Sequence, residues 1–175
     1  MISLKEAILD LHMERRLGIK DRFSELASYR NPIARLWGFH AVAKTGWAEF
    51  LEPVTSDFPT RRKAPLRFCD LQVVGVRIMA TVVPTVADAA AALGAFDVFE
   101  EATLGGQHLL TLTERGPGLS TRHGASYFAG LRSPYGRDVE AVRCRRRAHC
   151  QDSDTSGHVV ATARTTFRAM EQWLC

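Results

Sequence analysis

The sequence predicts an all-α fold, a compact helical bundle formed by one domain over residues 1–175. Three observations predict it. Apolar residues recur at three- and four-residue steps along most of the chain. The stretch richest in β-branched residues, 73–83, lacks the alternation of a half-buried strand and has no evident partner strand. With 46% apolar and 24% charged residues, the composition is that of an ordinary globular domain.

The first elements follow from this period. An amphipathic helix is expected to begin at Leu4 and to end at Gly18. Ser28 or Asn31 is expected to cap a second helix, which Pro53 ends. Its apolar stripe comprises Ile33, Leu36, Trp37, His40, Trp47, Phe50 and Leu51.

The middle of the chain contains a short helix and a long one. The short helix is expected around residues 66–74, and residues 73–83 are expected to form buried turn and extended chain. Thr85 is the predicted start of a capping box for an alanine-rich helix over residues 86–115. Gly116 stops that helix.

The C-terminal third alternates turns and helices. A short segment at residues 126–131 precedes a helix expected over 138–149, and residues 153–157 read as polar linker. The last helix has an apolar stripe of Val160, Ala163, Phe167, Met170, Trp173 and Leu174.

Charge and cysteine content restrict the function classes. A net charge of +4 is too small to indicate nucleic acid, and no reading helix with interleaved aromatics accompanies the basic runs. The four cysteines follow no zinc-binding spacing, and no segment reads as a signal peptide. No apolar run reaches the ~20 residues of a membrane span. We therefore expect a cytoplasmic protein with no membrane or nucleic-acid partner.

The least ordinary local feature is the pair Gly105-Gly106 inside the predicted long helix. Each interior glycine costs a helix roughly 1 kcal/mol relative to alanine, so two together need a reason. Bare backbone would let a flat ligand or another helix approach closely. Tight helix packing, or a helix that ends there, is the alternative, and on this feature alone it is favoured.

Two histidines lie on predicted helices. His12 borders the apolar face of the first helix, where a neutral imidazole could ligate a metal or a haem iron, or could be half-buried with a backbone partner. Lys5 lies on nearly the same face. His40 lies on the core stripe of the second helix and is expected to be structural.

These segments together resemble the bacterial haem oxygenases, in particular the type associated with bacteriophytochromes. The resemblance rests on residues 4–12, on 28–40, on 61–71, on Glu100 followed by residues 102–107, on 127–130 and on 163–174. The segment that ends in Gly105-Gly106-Gln107 resembles the distal helix motif and is the most specific match.

The resemblance implies a function and a site. Haem would lie between the first helix and a kinked distal helix, and would be both substrate and cofactor. His12 would be the axial iron ligand, Lys5 would face a propionate, and Gly105 and Gly106 would let backbone lie over the porphyrin. With dioxygen and electrons from a separate reductase or ferredoxin, the products would be biliverdin, carbon monoxide and ferrous iron. A biliverdin-using photoreceptor is a further possible partner, and the family is usually monomeric.

The chain departs from the family pattern at the distal helix. Glu101 stands where the family has glycine, one turn before Gly105 and on the same face. It could clash with haem, ligate iron, turn toward a basic residue or remain protonated. Asp97 stands where the family has an aromatic residue, usually tyrosine. Other departures are Ile8, Val139, Val142 and the Leu131-Arg132 pair.

Three hypotheses follow. The chain is a working haem oxygenase with an altered distal pocket, a haem- or bilin-binding protein with little turnover, or a scaffold that has lost haem. His12 and the glycine pair favour the first two. Glu101 and Asp97 favour the second and third.

Overall fold

A computed structural model of the chain describes residues 22–55, 58, 64–79, 81–131, 148 and 153–174. In these residues the α-helices are α1 (Leu26–Gly46), α2 (Ala48–Leu51), α3 (Ala64–Val74), α4 (Ala89–Arg115) and α5 (Ser153–Leu174), with a 3-10 helix at Ser126–Leu131. The described residues form no β-strand, only isolated bridges near Ser120. The all-α prediction is confirmed. The helices predicted from Leu4 and over 138–149 lie outside the described residues, apart from a helical Ala148.

The long helix α4 is the centre of the bundle. All ten residues from 91 to 100 are buried, so other elements cover its N-terminal half on every side. Helix α5 lies against this half, and a Cβ added to Gly94 would come 2.4 Å from the carbonyl oxygen of Val159. A side chain at position 94 would force the two helices apart, which is why glycine occupies it.

Helices α4 and α5 start side by side and run in the same direction. Near their starts, His158 Nδ1 lies 3.4 Å from Asp88 Oδ2. Toward their ends, Leu174 packs against the apolar cluster that contains Leu110. Val159 therefore lies level with Gly94. From there the two helices stay adjacent toward their C-terminal ends.

An extended segment lies along α1 and links α3 to α4. Arg30 Nε donates to the Val74 carbonyl at 2.8 Å, and Trp47 Nε1 donates to the Pro84 carbonyl at 3.1 Å. Between these two contacts, the carbonyl of Met79 lies directly over Gly38. The extended conformation is as predicted, but its burial is not. Val82 is 89% exposed, because the segment covers α1 and nothing described covers the segment.

Two predicted helix starts are wrong. α1 begins at Leu26 after Glu25, so Ser28 and Asn31 lie within the helix. The capping residue of α4 is Asp88, whose carboxylate accepts from the Ala91 amide at 2.7 Å. Thr85 lies in the extended segment instead. A carboxylate is the stronger cap, and it starts the helix three residues later than the capping box predicts.

The last helix also starts earlier than predicted. α5 begins at Ser153 and includes the expected linker, residues 153–157. Residues 154–157 are exposed or half-buried, so they extend the helix from its packed part, which begins at the buried Val159. The structure divides the second predicted helix at Trp47 into α1 and α2, but the predicted end holds, since α2 ends at Leu51, shortly before Pro53. The long helix α4 ends at Arg115, as predicted.

Candidate functional site

The glycine pair lies inside an unbroken helix. α4 continues from Ala89 through Gly105 and Gly106 to Arg115, so the possibility that a helix ends at the pair is excluded. Gly106 is buried. Without a side chain at either position, the helix backbone can be approached closely here by a ligand or by another helix.

The structure describes the other predicted ligand residues only in part or not at all. His12 and Lys5 belong to the segment before residue 22, and Glu101 and Gly105 are described by their helical backbone. The described residues therefore form one wall of the predicted site, the one made by α4 and its neighbours. Within them, no group of three or more His, Cys, Asp and Glu residues could hold a metal ion.

Closely packed rings hold α4 in place just before the glycine pair. Phe99 stacks on Phe39 with ring centroids 5.3 Å apart, and the edge of Trp47 lies 5.1 Å from Phe99. The ring of His40 meets Phe99 edge-on at 4.4 Å. Because Gly105 is six residues further on, it lies roughly 9 Å along the helix from this cluster. A ligand at the glycines would have a rigid wall beside it.

His40 belongs to a buried polar chain, as the sequence predicted of a structural histidine. Its Nε2 lies 2.7 Å from the hydroxyl of Tyr127. The backbone amides of Tyr127 and Ser126 donate to the carboxylate of Asp70 at 2.7 and 2.8 Å. This chain ties α1, α3 and the 3-10 helix together beside Phe99 of α4.

Sequence reasoning missed the partners of His40. Tyr127 lies 87 residues beyond His40, and Asp70 lies 57 residues before Tyr127. Helical period identifies a buried histidine, but no local pattern identifies a partner so far along the chain. The available signal was Asp70 itself, a carboxylate beside Leu71 on the short predicted helix.

Tyr29 extends the buried polar group along the same face of α1, three turns before His40. Its hydroxyl donates to the carbonyl of Gly124 at 2.8 Å. Burial raises the pKa of Tyr29 well above its usual value, and the negative charge of Asp70 and the nearby Tyr127 raise it further. Tyr29 therefore stays neutral and acts as a permanent donor.

The structure places acid groups within the core of α4. Asp97 is 2% exposed and Glu100 is also buried. Glu101 follows Asp97 by one helical turn and shares its face of the helix, as does Gly94. α5 contacts that face at Gly94. The acid at position 97, where the resemblance led us to expect an aromatic residue, is therefore internal.

The facing wall on α5 contains a buried hydroxyl. Thr166 is fully buried beside Phe167, and its Oγ1 has no hydrogen-bond partner in the described part of the chain. Such a group is costly unless a ligand or water satisfies it.

The fold is that of a known class of protein. The chain superposes on a solved haem oxygenase of Neisseria meningitidis, crystallised with bound NO and CO, with a TM-score of 0.82. The match covers 98% of this chain and 87% of that chain, at 18% sequence identity.

The chain has the haem oxygenase fold. This confirms the architecture that the sequence resemblance implied. No protein-family model matches the sequence, and a comparison with curated proteins finds no match. In this haem oxygenase fold no described helix is both long and apolar enough to cross a membrane.

Proposed function

We propose that this protein is a haem oxygenase that converts haem to biliverdin, carbon monoxide and ferrous iron. The observation that carries the proposal is the glycine pair, which lies in the interior of an unbroken helix in a chain with the haem oxygenase fold. If nothing had to come close to the helix here, alanine in place of each glycine would make the helix more stable by roughly 1 kcal/mol.

The proposed site has residues on two sides of haem. His12 would hold the haem iron through an imidazole nitrogen, and Lys5 would pair with a propionate, where opposite charges attract. Gly105 and Gly106 would let the helix backbone come close to the porphyrin. Haem, when bound, supplies the iron that activates dioxygen, and electrons come from an external reductase or ferredoxin.

Glu101 is the proposed modifier of this site. Its backbone position, one turn before Gly105, places it on the helix face that carries the glycines. A carboxylate there reduces the space for haem or changes the polarity of the pocket. We include Glu101 with the glycines among the residues that determine catalysis.

The second candidate function is haem or bilin binding with little turnover. Asp97 favours it, because this acid is buried in the helix that would cover the ligand. A buried carboxyl near the site changes its charge and hydrogen bonding, which the oxygen chemistry depends on. A haem carrier or sensor would tolerate such a change.

The remaining parts of the proposal concern partners and location. A redox donor protein delivers electrons, and a photoreceptor of the bacteriophytochrome class is the proposed consumer of biliverdin. We propose a monomer in the cytoplasm, without nucleic acid or membrane as a partner.

A hemin titration followed by reductant under air tests the function. Purified protein is expected to give a saturable one-to-one haem absorption spectrum, which reductant then converts to that of biliverdin. Stable binding without conversion would favour the carrier or sensor. No specific binding would leave the scaffold hypothesis.

The axial ligand has its own test. In His12→Ala the haem spectrum is expected to lose the signature of imidazole ligation. His123→Ala is the matched control, since His123 is exposed in the loop after α4. An unchanged spectrum in His12→Ala would reassign the ligand.

A further inference from the structure

The extended segment between α3 and α4 has the composition of a β-strand. Gly75, with a φ of 68°, follows the end of α3, and residues 76–79 and 81–87 then lead to Asp88, the cap of α4. Most of these residues are β-branched or otherwise apolar, which is typical of strands. The run before Pro84 has the length of an ordinary strand, yet it belongs to no sheet of the described residues.

The backbone of the extended segment is open to hydrogen bonding. Within the described part of the chain, the amides of residues 77–79, 81–83 and 85–87 donate to no acceptor. The carbonyl of Met79 points at Gly38 of α1. Because successive residues of an extended chain direct their backbone groups to opposite sides, the amide and carbonyl of Ile78 point away from α1. Water satisfies such groups in the free protein, and a second strand would replace that water with a ladder of hydrogen bonds.

Exposed apolar side chains gather along the same segment. The large hydrophobic residues that the described part of the chain exposes are Leu26, Val42, Val73, Ile78, Met79 and Val82. Three of them belong to the extended segment, and Val73 comes just before it. Val42 follows, by one turn of α1, the Gly38 that Met79 covers. Apolar residues grouped on a surface in this way mark an interaction site, whereas a solvated connection is polar.

One charge sets the chemistry of the partner. Between residues 71 and 87 the only charged residue is Arg77, which is exposed and has no acid beside it among the described residues. A second copy of this chain, paired through the same segment, brings no carboxylate to Arg77, because residues 71–87 contain none. Exposed strand edges that avoid pairing usually carry several charges or a bulge, and this one has a single arginine.

We propose that the extended segment is a docking site for an extended strand of another protein. The partner strand pairs with the backbone on the side away from α1, covers the exposed apolar residues and places an acidic residue opposite Arg77. In strand addition of this kind, backbone hydrogen bonds supply affinity and the side chains supply specificity. Docking here needs no haem, so it stands apart from the proposed haem oxygenase function.

A short peptide of alternating valine and threonine, with one glutamate at its centre, is the probe. Titration calorimetry with the intact protein is expected to show saturable one-to-one binding. The same peptide N-methylated at alternate residues keeps its side chains but loses backbone donors, and its affinity is expected to be at least about tenfold lower. Absence of binding, or equal binding of the two peptides, would overturn the proposal and leave the segment a solvated connection.

Hydrogen exchange and a backbone variant locate the binding. The peptide is expected to slow amide exchange in residues 77–83 and to leave α5 unchanged. Ile78→Pro removes an amide on the open side and is expected to lower peptide affinity about tenfold, whereas Ile78→Val keeps the amide and should bind like the parent. Protection confined to other elements, or equal affinities of the two variants, would contradict the proposed site.

Charge reversal tests the role of Arg77 without touching the backbone. Arg77→Glu is expected to weaken binding of the glutamate peptide about threefold and to strengthen binding of a peptide with lysine in its place. Arg115→Glu, at the exposed end of α4, is the matched control and should change neither. Equal changes in both variants would mean general attraction, and would overturn the pairing with Arg77.

Sedimentation of the protein alone tests the competing occupant. The parent is expected to remain monomeric at the concentrations of the titration. A dimer that Ile78→Pro dissociates would assign the segment to a second copy and overturn the proposal. Hemin titration of Ile78→Pro is expected to match that of the parent, so that docking and the proposed haem function can fail independently.

Discussion

At the scale of single residues, Glu101 decides how open the proposed site is. The glycine that the family resemblance leads us to expect would leave this face of α4 without side chains for about two turns. Glutamate adds a charged side chain there. Glu101→Gly is therefore expected to raise haem affinity or turnover several-fold. Hemin titration and the rate of biliverdin formation measure the two effects.

A matched control separates the pocket from the helix. Glu114→Gly places the same change at an exposed position of α4, far from the glycine pair. Either substitution is expected to destabilise the helix by up to about 1 kcal/mol, but only Glu101→Gly should change haem binding. No gain in affinity or turnover from Glu101→Gly would refute the modifier role.

Tyr29 gives a pH-dependent prediction. Tyr29→Phe leaves the buried Gly124 carbonyl without its donor and is expected to cost about 1–3 kcal/mol at pH 8. The folded-state pKa of Tyr29 is raised, so its contribution is complete below the unfolded-state pKa, near 10, and is lost as pH rises above it. In urea unfolding, the difference in free energy of unfolding between parent and variant should become smaller by about 1 kcal/mol near pH 10.5–11. A constant difference across this range would be inconsistent with a neutral, buried Tyr29.

At the scale of elements, the contact of α4 with α5 depends on Gly94. A methyl group at this position would meet the Val159 carbonyl at 2.4 Å, so Gly94→Ala is expected to destabilise the fold by about 1–3 kcal/mol. Gly157→Ala in α5 meets nothing within 4 Å and should stabilise by up to about 1 kcal/mol. Urea denaturation measures both, and the same sign for the two variants would contradict the close helix contact.

The helices were predictable because their apolar period is local. The stripe of α1, the length of α4 and the burial of His40 all follow from spacing within a few turns. Helix starts were less predictable, since Thr85 and Asp88 are both possible caps three residues apart, and the stronger carboxylate cap of Asp88 is the one that the helix uses. The partners of His40 were not predictable, because they depend on contacts between distant segments.

At the scale of the whole molecule, the end of α5 is bound to elements near the other end of the described chain. Arg35 of α1 donates to the Trp173 carbonyl at 2.7 Å, and the indole of Trp173 donates back to the Arg35 carbonyl at 3.0 Å. The Arg35 guanidinium lies over the Trp173 ring at 5.4 Å. Arg22 donates to the Leu174 carbonyl at 2.7 Å. The bonds to the carbonyls of Trp173 and Leu174 satisfy acceptors that the last turn of α5 leaves without an intrahelical donor.

This closure predicts that the chain unfolds as one unit, as the single-domain proposal requires. In urea, far-UV circular dichroism and tryptophan fluorescence are expected to give one transition with one midpoint. Arg35→Ala should lower the free energy of unfolding by about 1–2 kcal/mol. Both midpoints should then move together to a lower urea concentration. Arg35→Lys keeps the charge but not the planar fork, so it should recover only part of the loss. Two separate transitions, or a shift confined to the tryptophan signal, would mean that α5 docks on α1 as an independent element.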